Sequence, residues 1–275
     1  MTGRVLIVAG SDSSGGAGIQ ADIKTVTALG GYAATAIAAL TAQNTRGVFG
    51  VLDVPEDFIR QQIELVLEDI GVDAIKTGML SRPSVIEMLA DVIAEQAAGV
   101  PLVVDPVMVA KGGSKLLGDD ALEAMRTRLI PLARVITPNI PEAEVLTGRT
   151  IRGVSDMIEA GRQLLALGPQ AVVVKGGHLE GDSLTDALIT EGCVDLFQGQ
   201  RIDTPHTHGT GCTMASAIAT GLAQGLSLSD SLARARDYVR IAIATAPGLG
   251  HGHGPLNHGH TVAPFPVQTN RGPSA

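Results

Sequence analysis

Short apolar runs rich in β-branched residues alternate with helix-length segments along most of the chain. The runs are RVLIVAG from residue 4, YAATAIAAL from 32, DAIKTGM from 73, PLVVDPV from 101, ARVITPN from 133 and AVVVKGG from 171. Strands separated by helical segments are typical of βαβ units, in which parallel strands are buried on both faces. The pattern therefore predicts an α/β fold with a mostly parallel central sheet.

The segments between these runs have the periodicity of amphipathic helices. The predicted helices cover residues 17–29, a segment opening at Pro55, 210–225 and 228–245. In the second helix Ile59, Ile63 and Ile70 fall on one face, as expected of a helix that covers a sheet. Tight alternation from Leu184 to Ile202 instead predicts one or two hairpins at an edge of the sheet.

The alternation continues without a linker or a repeat, so one domain is expected over residues 1–264. Residues 265–275 are rich in Pro, Gly and polar residues, which predicts a flexible tail. The preceding stretch carries His251, His253, His258 and His260 among glycines. No acid or cysteine accompanies these histidines, so a loop is favoured over a zinc site.

Composition limits the classes of protein to which the chain can belong. Hydrophobic residues make up 45% of its 275 residues and aromatic residues only 2%, so the core must consist of Ala, Val, Leu and Ile. A net charge of −8 argues against nucleic-acid partners, which require clustered Lys and Arg. No segment approaches the roughly 20 apolar residues of a membrane span. The expectation is a cytoplasmic protein without a membrane partner.

Polar residues recur where the predicted strands end. Gly10-Ser11-Asp12, Lys76-Thr77, Asp105, Asn139 and Lys175 all occupy such positions. Ligands of open α/β sheets bind outside the carboxyl ends of the strands, so these five positions together predict a ligand site at one edge.

The glycine-rich stretch after the first strand matches a dinucleotide-binding pattern only weakly. Residues 16–21 read GAGIQA, but the acid expected about 20 residues later is missing from residues 33–43. The P-loop Lys is absent as well, because Gly16 follows Gly15. A simple glycine turn leaves Asp22 and Gln43 unexplained at the mouth of the sheet.

Asn139 and Glu142 lie one helical turn apart directly after a predicted strand. Their oxygens can hold a hydrated Mg²⁺, which takes few protein ligands and keeps several waters. The same spacing fits a capping box, in which the two side chains close the first turn of a helix. The residues themselves leave both interpretations open.

The stretch HGTGCT, residues 208–213, precedes a helix of small residues. Gly209 and Gly211 allow successive N–H groups to converge at the helix N-terminus, which predicts an anion hole. A thiol there is expected to ionise readily, so Cys212 is a candidate proton acceptor, with a small packing residue as the alternative. Cys193 lies in a strand pattern and is expected to be a buried packing residue, and no disulfide or zinc site is indicated.

The ordered motifs GSDSSGGAGIQAD, KTGML, VVDPVMVAKGG, TPNIPEAEVLTG, VVVKGGHL and HGTGCT resemble the ribokinase-like superfamily. Within it they are similar to the kinases that phosphorylate hydroxymethylpyrimidine and its monophosphate in thiamine biosynthesis. The resemblance runs from about residue 4 to residue 260. It implies a three-layer α/β/α sandwich, two ATP- and Mg²⁺-dependent transfers and a homodimer.

The resemblance also implies roles for individual residues. Those expected to hold the pyrimidine are Gly10, Asp22, Gln43, Met79 or Leu80, Val107 and Cys212. Those expected to bind ATP are Asn139, Glu142, Lys175, Thr210 and Gly211. Those expected to hold Mg²⁺, partly through water, are Asp105, Asn139 and Glu142. Those expected to act in catalysis are Gly209, Gly211 and Lys175, with Cys212 as the base that deprotonates the attacking hydroxyl.

Two other functions remain open at this point. Some relatives with a cysteine at this position accept pyridoxal, so a pyridoxal or pyridoxine kinase is the alternative, although Gln43 favours the pyrimidine. A catalytically silent vitamin-binding regulator would lack the phosphate-binding residues, which this chain retains. The resemblance further raises the question of whether the segment near Lys111 moves as a flap.

Overall fold

Strands and helices alternate in the computed structural model, which describes residues 2–108, 118–179 and 181–263. The strands are β1 (Arg4–Asp12), β2 (Tyr32–Asn44), β3 (Gly47–Asp53), β4 (Ala74–Thr77), β5 (Leu102–Val104), β6 (Val135–Ile136), β7 (Ala171–Val174), β8 (Ser183–Thr190) and β9 (Val194–Gln200). The helices are α1 (Gly18–Ala28), α2 (Glu56–Leu65), α3 (Pro83–Gln96), α4 (Asp119–Ala124), α5 (Ile140–Thr147), α6 (Val154–Leu165), α7 (Thr210–Ala223) and α8 (Leu228–Ala244).

The nine strands of the described residues belong to one sheet, in the order β3-β2-β1-β4-β5-β6-β7-β8-β9. Six neighbouring strands of this sheet pair in parallel, in the order β2, β1, β4, β5, β6 and β7. The outer strands β3, β8 and β9 are antiparallel to their neighbours. The hairpin expected between residues 184 and 202 is therefore confirmed as β8–β9, at one edge of the sheet.

Helices cover both faces of this sheet because successive residues of its strands point to opposite sides. Leu6 and Val8 of β1 pack into one apolar cluster with residues of α2, α3, α5 and α6. Val5 and Ile7 pack on the other side with residues of α1, α7 and α8. Both clusters are built mainly from Ala, Val, Leu and Ile, as the composition requires. The predicted three-layer α/β/α arrangement is confirmed.

The structure differs from the sequence-based expectation at two places on the edges of the sheet. Strand β3 was not predicted, because its apolar residues are largely exposed and Gly50 interrupts them. The prediction for Cys193 is wrong: this residue is exposed. It belongs to the short turn that joins β8 to β9, so it lies outside the core that a strand position would have given it.

Within the described ranges, no helix has the length and apolar character needed to cross a membrane. The flexible tail expected over 265–275 lies outside the described residues, and so does the segment near Lys111, for which the sequence left open whether it moves as a flap. The single domain expected over 1–264 stays a prediction.

Candidate active site

A cleft of about 1120 Å³ lies at the carboxyl ends of the parallel strands. It brings together these strand-end residues singled out in the sequence: Gly10, Ser11, Asp12, Lys76, Asp105, Asn139 and Lys175. Thr77, singled out with them, is completely buried and does not line the cleft. The N-terminus of α7, from Gly209 to Cys212, forms another part of its wall. Segments 198–204 and 236–243 extend the cleft beyond Lys175. The volume of the cleft is at the upper limit of the roughly 300–1,000 Å³ of a pocket for one small ligand.

The N-terminus of α7 depends on Gly209, whose φ of +85° lies in the left-handed region. A Cβ at this position would lie 1.8 Å from the backbone oxygen of Gly16, so no other residue fits. Gly211 faces the cleft, and a Cβ there would lie 3.3 Å from Lys175 Nζ and 3.6 Å from Asp105 Oδ2. The first turn of α7 thus opens toward a lysine, as an anion-binding helix N-terminus requires.

Cys212 lies at the start of α7 and lines the cleft, half-buried. Burial raises the pKa of its thiol to about 12, although the charge of Lys76 acts in the opposite direction. The expectation of an easily ionised thiol is therefore wrong for the ligand-free protein. Desolvation of the thiolate outweighs the helix N-terminus, which alone would lower the pKa.

Asp22 does not line the cleft, contrary to its expected contact with a pyrimidine. It has no exposed surface, and both its carboxylate oxygens lie 2.9 Å from Lys76 Nζ. Ser216 of α7 donates a further hydrogen bond of 2.6 Å to Asp22 Oδ1. A buried lysine needs a counterion, and Asp22 supplies it. Burial opposes the charge on Lys76, but Asp22 raises the pKa of Lys76, which is therefore a cation in the cleft wall.

Lys175 and Asp105 form an ion pair at the centre of the cleft. Lys175 Nζ lies 3.0 Å from Asp105 Oδ1, which also accepts a 3.2 Å hydrogen bond from Thr137. Burial opposes the charge on Lys175, but Asp105 and Glu142 raise its pKa. The lysine therefore keeps its proton and carries a positive charge toward the N-terminus of α7.

Asn139 and Glu142 form the capping box of α5. Glu142 N donates to Asn139 Oδ1 over 2.9 Å, and Asn139 N donates to Glu142 Oε2 over 2.8 Å. The capping interpretation left open by the sequence is thus confirmed. It does not remove these oxygens from the cleft, because both residues line it. Among the described residues, no three His, Cys, Asp or Glu side chains converge as a ready metal site.

We predict that Glu142→Gln changes the pH dependence of stability. Burial raises the pKa of Glu142 from 4.5 to about 7, with Lys175 opposing and Asp105 reinforcing the shift. The folded protein thus keeps a proton that the unfolded chain has already lost. The resulting stability is fully present below about pH 4.5 and is lost as the pH rises through about 7.

Wild type should lose up to about 3 kcal/mol more than Glu142→Gln between these pH values, at 1.36 kcal/mol per pKa unit. Urea unfolding at a series of pH values measures this difference. Glutamine keeps the oxygen that closes the cap, so the fold should survive. Glu123→Gln, which removes an exposed carboxylate of α4, is the matched control. Equal pH slopes for wild type and Glu142→Gln would contradict the prediction.

Asp12 and His208 form a buried pair that sequence reasoning did not identify as such. His208 Nε2 lies 2.8 Å from Asp12 Oδ2. The Asp12 carboxylate also accepts backbone hydrogen bonds of 2.8 Å from Ser14 and Ala17, which hold the glycine-rich turn. Burial acts to raise the pKa of Asp12, but the hydrogen bonds from His208 and Ser14 hold it well below its usual range. The only sequence signal was the position of Asp12 at a strand end and of His208 beside Gly209.

The other residues expected to bind the pyrimidine also line the cleft, and Gln43 lies beside His208. Gly10, Gln43, Met79 and Val107 all contribute to its wall. A Cβ at Gly10 would lie 2.6 Å from Met79 Cε, so glycine permits the close approach of this side chain. Of the two alternatives, Met79 lies on the cleft, whereas Leu80 is completely buried in the core.

The histidine-rich loop packs against the N-terminus of α7. His258 Nε2 lies 2.9 Å from Thr213 Oγ1, and the backbone N–H of His208 donates to Gly254 O over 3.1 Å. The same loop reaches the β2–β3 turn, where His253 N donates to Thr45 O over 2.8 Å. Burial lowers the pKa of His258 to about 4, so it is neutral at pH 7. The loop therefore supports the cleft from outside.

Comparison with known proteins identifies the family that shares this site. The sequence profile of the family described as phosphomethylpyrimidine kinase matches residues 12–257. The chain belongs to the phosphomethylpyrimidine kinase family. The family predicted from the ordered motifs is thus confirmed, and the match includes the glycine-rich turn, the strand-end residues from Asp12 onward and the N-terminus of α7.

Relatives in the family extend the likeness over almost the whole chain. The hydroxymethylpyrimidine/phosphomethylpyrimidine kinase of Streptomyces coelicolor is 48% identical over 93% of this chain and 94% of its own length. The thiamine biosynthesis bifunctional protein ThiED of Geobacter sulfurreducens is 52% identical over 93% of this chain. The chain spans about half of that longer relative, 52% of its length.

Solved structures of ribokinase-like kinases share the fold of this chain. An ADP complex of Bacillus subtilis pyridoxal kinase superposes with a TM-score of 0.87 and 38% sequence identity. The match covers 94% of this chain and 98% of that one. The predicted ribokinase-like fold class is therefore confirmed.

Proposed function

We propose that this kinase transfers the γ-phosphoryl group of ATP to 4-amino-5-hydroxymethyl-2-methylpyrimidine. A second transfer then converts the monophosphate to the diphosphate, as a step of thiamine biosynthesis. The observation that carries the proposal is the continuity of one cleft from Gln43, past the N-terminus of α7, to Lys175 and beyond. The relatives named as hydroxymethylpyrimidine/phosphomethylpyrimidine kinases support it.

The pyrimidine would occupy the end of the cleft between Gln43, Met79 and Val107. An amide both donates and accepts, which suits the exocyclic amine and ring nitrogen of an aminopyrimidine. Gly10 brings its backbone to the same end without a side chain in the way. Asp22 was expected to contact the pyrimidine directly, but here it is the counterion that holds Lys76 in the cleft wall.

ATP would occupy the remainder of the cleft, with its phosphates near Lys175 and the first turn of α7. The N–H group of Gly211 has no acceptor four residues back within the helix and is therefore available to an anion. The N–H group of Thr210 makes only a long hydrogen bond of 3.4 Å to Thr207 O. Phosphoryl transfer relies mainly on such positioning and on electrostatic stabilisation of the equatorial oxygens. The ADP complex of the Bacillus subtilis relative supports nucleotide binding by this kinase.

The residues around Lys175 also fit a magnesium ion. Asp105 uses Oδ1 for Lys175 and Thr137, which leaves Oδ2 as a carboxylate oxygen toward the cleft. Together with the oxygens of Asn139 and Glu142, direct or through water, this is the sparse donor set that Mg²⁺ takes beside phosphates. Bound there, the ion would offset the negative charge of the ATP phosphates.

Product analysis by mass tests the proposed reaction. The protein is incubated with ATP and Mg²⁺ and with either hydroxymethylpyrimidine or pyridoxal. Appearance of the pyrimidine monophosphate followed by the diphosphate is expected. Pyridoxal phosphate as the sole product would instead support the pyridoxal kinase alternative, which rests on the likeness to pyridoxal kinase structures.

A homodimer belongs to the same proposal and has a candidate surface. Edge strand β3 and its neighbour β2 expose Phe49, Leu52, Val51 and Leu40, of which Phe49 is 74% accessible. Apolar side chains this exposed on an edge strand usually face another chain. A cytoplasmic location is proposed as well, since ATP is the phosphoryl donor.

We predict that Leu52→Asp shifts the protein from dimer to monomer at micromolar concentration, because the charge would be desolvated in the interface. Sedimentation equilibrium measures the mass. Leu196→Asp, at an exposed apolar position of β9 on the opposite edge of the sheet, is the matched control and should stay dimeric. A Leu52→Asp protein with the mass of the wild-type dimer would remove this surface from the interface.

A further inference from the structure

The side-chain amide of Gln43 lies between two polar groups at the pyrimidine end of the cleft. Its Nε2 lies 3.3 Å from Nε2 of His208. Its Oε1 is 3.1 Å from Oγ1 of Thr41. The oxygen and nitrogen of an amide have nearly the same size and shape, so the hydrogen bonds must decide which end lies where.

On one side of the amide, Asp12 settles the hydrogen bonding of His208. Nε2 of His208 lies 2.8 Å from Asp12 Oδ2, and the ionised carboxylate can only accept. His208 Nε2 therefore carries a hydrogen, whether the ring is neutral or charged. An amide nitrogen facing it would set two donors against each other, whereas an amide oxygen would accept a second branch of the same hydrogen.

On the other side, Ser11 settles the hydrogen bonding of Thr41. Thr41 Oγ1 lies 2.9 Å from the backbone oxygen of Ser11, which can only accept. Thr41 has a single hydroxyl hydrogen, and its contact with Ser11 O, 2.9 Å, is shorter than its contact with Gln43, 3.1 Å. With the hydrogen on the shorter contact, only lone pairs remain for Gln43. An amide oxygen there would set two acceptors against each other, whereas an amide nitrogen would donate a normal hydrogen bond.

The two sides reach the same answer from different residues. We propose that the Gln43 amide has Oε1 toward His208 and Nε2 toward Thr41, and that Thr41 and the Asp12–His208 pair are positioning residues that fix substrate orientation. In this orientation the amide oxygen faces a donor and the amide nitrogen faces an acceptor.

The fixed amide dictates how an aminopyrimidine can lie in the cleft, an argument that rests on the proposed function. With one hydrogen engaged by Thr41 and one lone pair by His208, Gln43 offers one donor beside one acceptor. The complementary edge of the substrate is a ring nitrogen beside an exocyclic amine, with the amine on the His208 side. The hydroxymethyl group is next to that amine on the ring, so this orientation turns the reacting oxygen toward Gly209 and Cys212.

Nuclear magnetic resonance tests the amide orientation without any substrate. The full-length protein is labelled with ¹⁵N in glutamine side chains and with ¹³C in threonine methyl groups, and the Gln43 signal is assigned by its loss in Gln43→Glu. Nuclear Overhauser contacts from the Gln43 amide protons to the Thr41 methyl group are expected. Contacts to the ring protons of His208 instead, with none to Thr41, would overturn the proposal.

Steady-state kinetics test the consequence for the substrate. Thr41→Val keeps the shape but loses the acceptor, so the KM for hydroxymethylpyrimidine should rise about tenfold, the worth of one hydrogen bond. The KM for ATP should stay within about twofold. Thr41→Ser keeps the hydroxyl and is the matched control. His208 is not substituted, because its loss would leave Asp12 buried without a partner.

Gln43→Ala separates the two levels of the argument. If it leaves the KM for hydroxymethylpyrimidine unchanged, Gln43 does not bind the substrate, and the proposed site is wrong whatever the amide orientation. If Gln43→Ala raises the KM but Thr41→Val does not, the site stands and the positioning role of Thr41 is wrong.

Discussion

Gly209→Ala is expected to lower both phosphoryl transfers by at least about 10²–10³-fold, the usual cost of losing one preorganised donor to a developing negative charge. The added Cβ would lie 1.8 Å from the backbone oxygen of Gly16. It would also have to adopt a φ of +85°. The first turn of α7 must therefore move, and the backbone N–H groups that follow Gly209 move with it.

A matched control separates the loss of the anion hole from the strain of a left-handed residue. Gly225 follows the other end of α7 with a φ of +84°, and a Cβ there would meet nothing within 4 Å. Gly225→Ala should cost roughly 1–2 kcal/mol of stability and leave the transfers intact. Rates of both transfers, measured beside thermal unfolding, distinguish the cases. Wild-type rates in Gly209→Ala would show that this turn does not bind phosphate.

The elements that sequence reasoning predicted are those whose pattern is local. The buried strands β1, β4, β5 and β7 read as continuous apolar runs because both their faces are covered by helices. The polar residues at their carboxyl ends could be placed at one edge, since parallel strands end together. Strand β3 could not be found this way, because its apolar residues occupy consecutive positions although most of them are exposed. Apolar and polar positions therefore do not alternate along it.

The errors at the site come from partners that are distant along the chain. Asp22 was expected to face the substrate, but it is the counterion of Lys76, which lies 54 residues away in sequence. His208 and Gln43 meet although 165 residues separate them. The pKa of Cys212 was expected to fall because the helix N-terminus is visible in the sequence, whereas the burial that raises it depends on the whole fold.

The raised pKa makes the base assignment of Cys212 a sharp test. At pH 7 a thiol with a pKa of about 12 is almost entirely protonated, so only a small thiolate fraction can accept the proton of the attacking hydroxyl. As long as the pH is below the pKa, each rise of one pH unit increases the thiolate fraction about tenfold. If Cys212 is the base, the first transfer should therefore accelerate with rising pH. The second transfer, whose acceptor is already an anion, should change little.

Cys212→Ala is expected to slow the first transfer by about 10²–10⁴-fold, the usual contribution of a general base, which corresponds to about 3–5 kcal/mol at 1.36 kcal/mol per decade. The acceleration of that transfer with pH should disappear as well. The anion hole consists of backbone N–H groups, which the substitution leaves in place, so ATP binding and the second transfer should suffer much less.

Cys212→Ser is the matched control: its hydroxyl is a weaker acid than the thiol, so it should fail like alanine although it fills the space. Separate rates for the two transfers, taken across pH with thermal unfolding, decide the question. If both rates fall together with stability and the pH profile is unchanged, Cys212 is a packing residue at the start of α7.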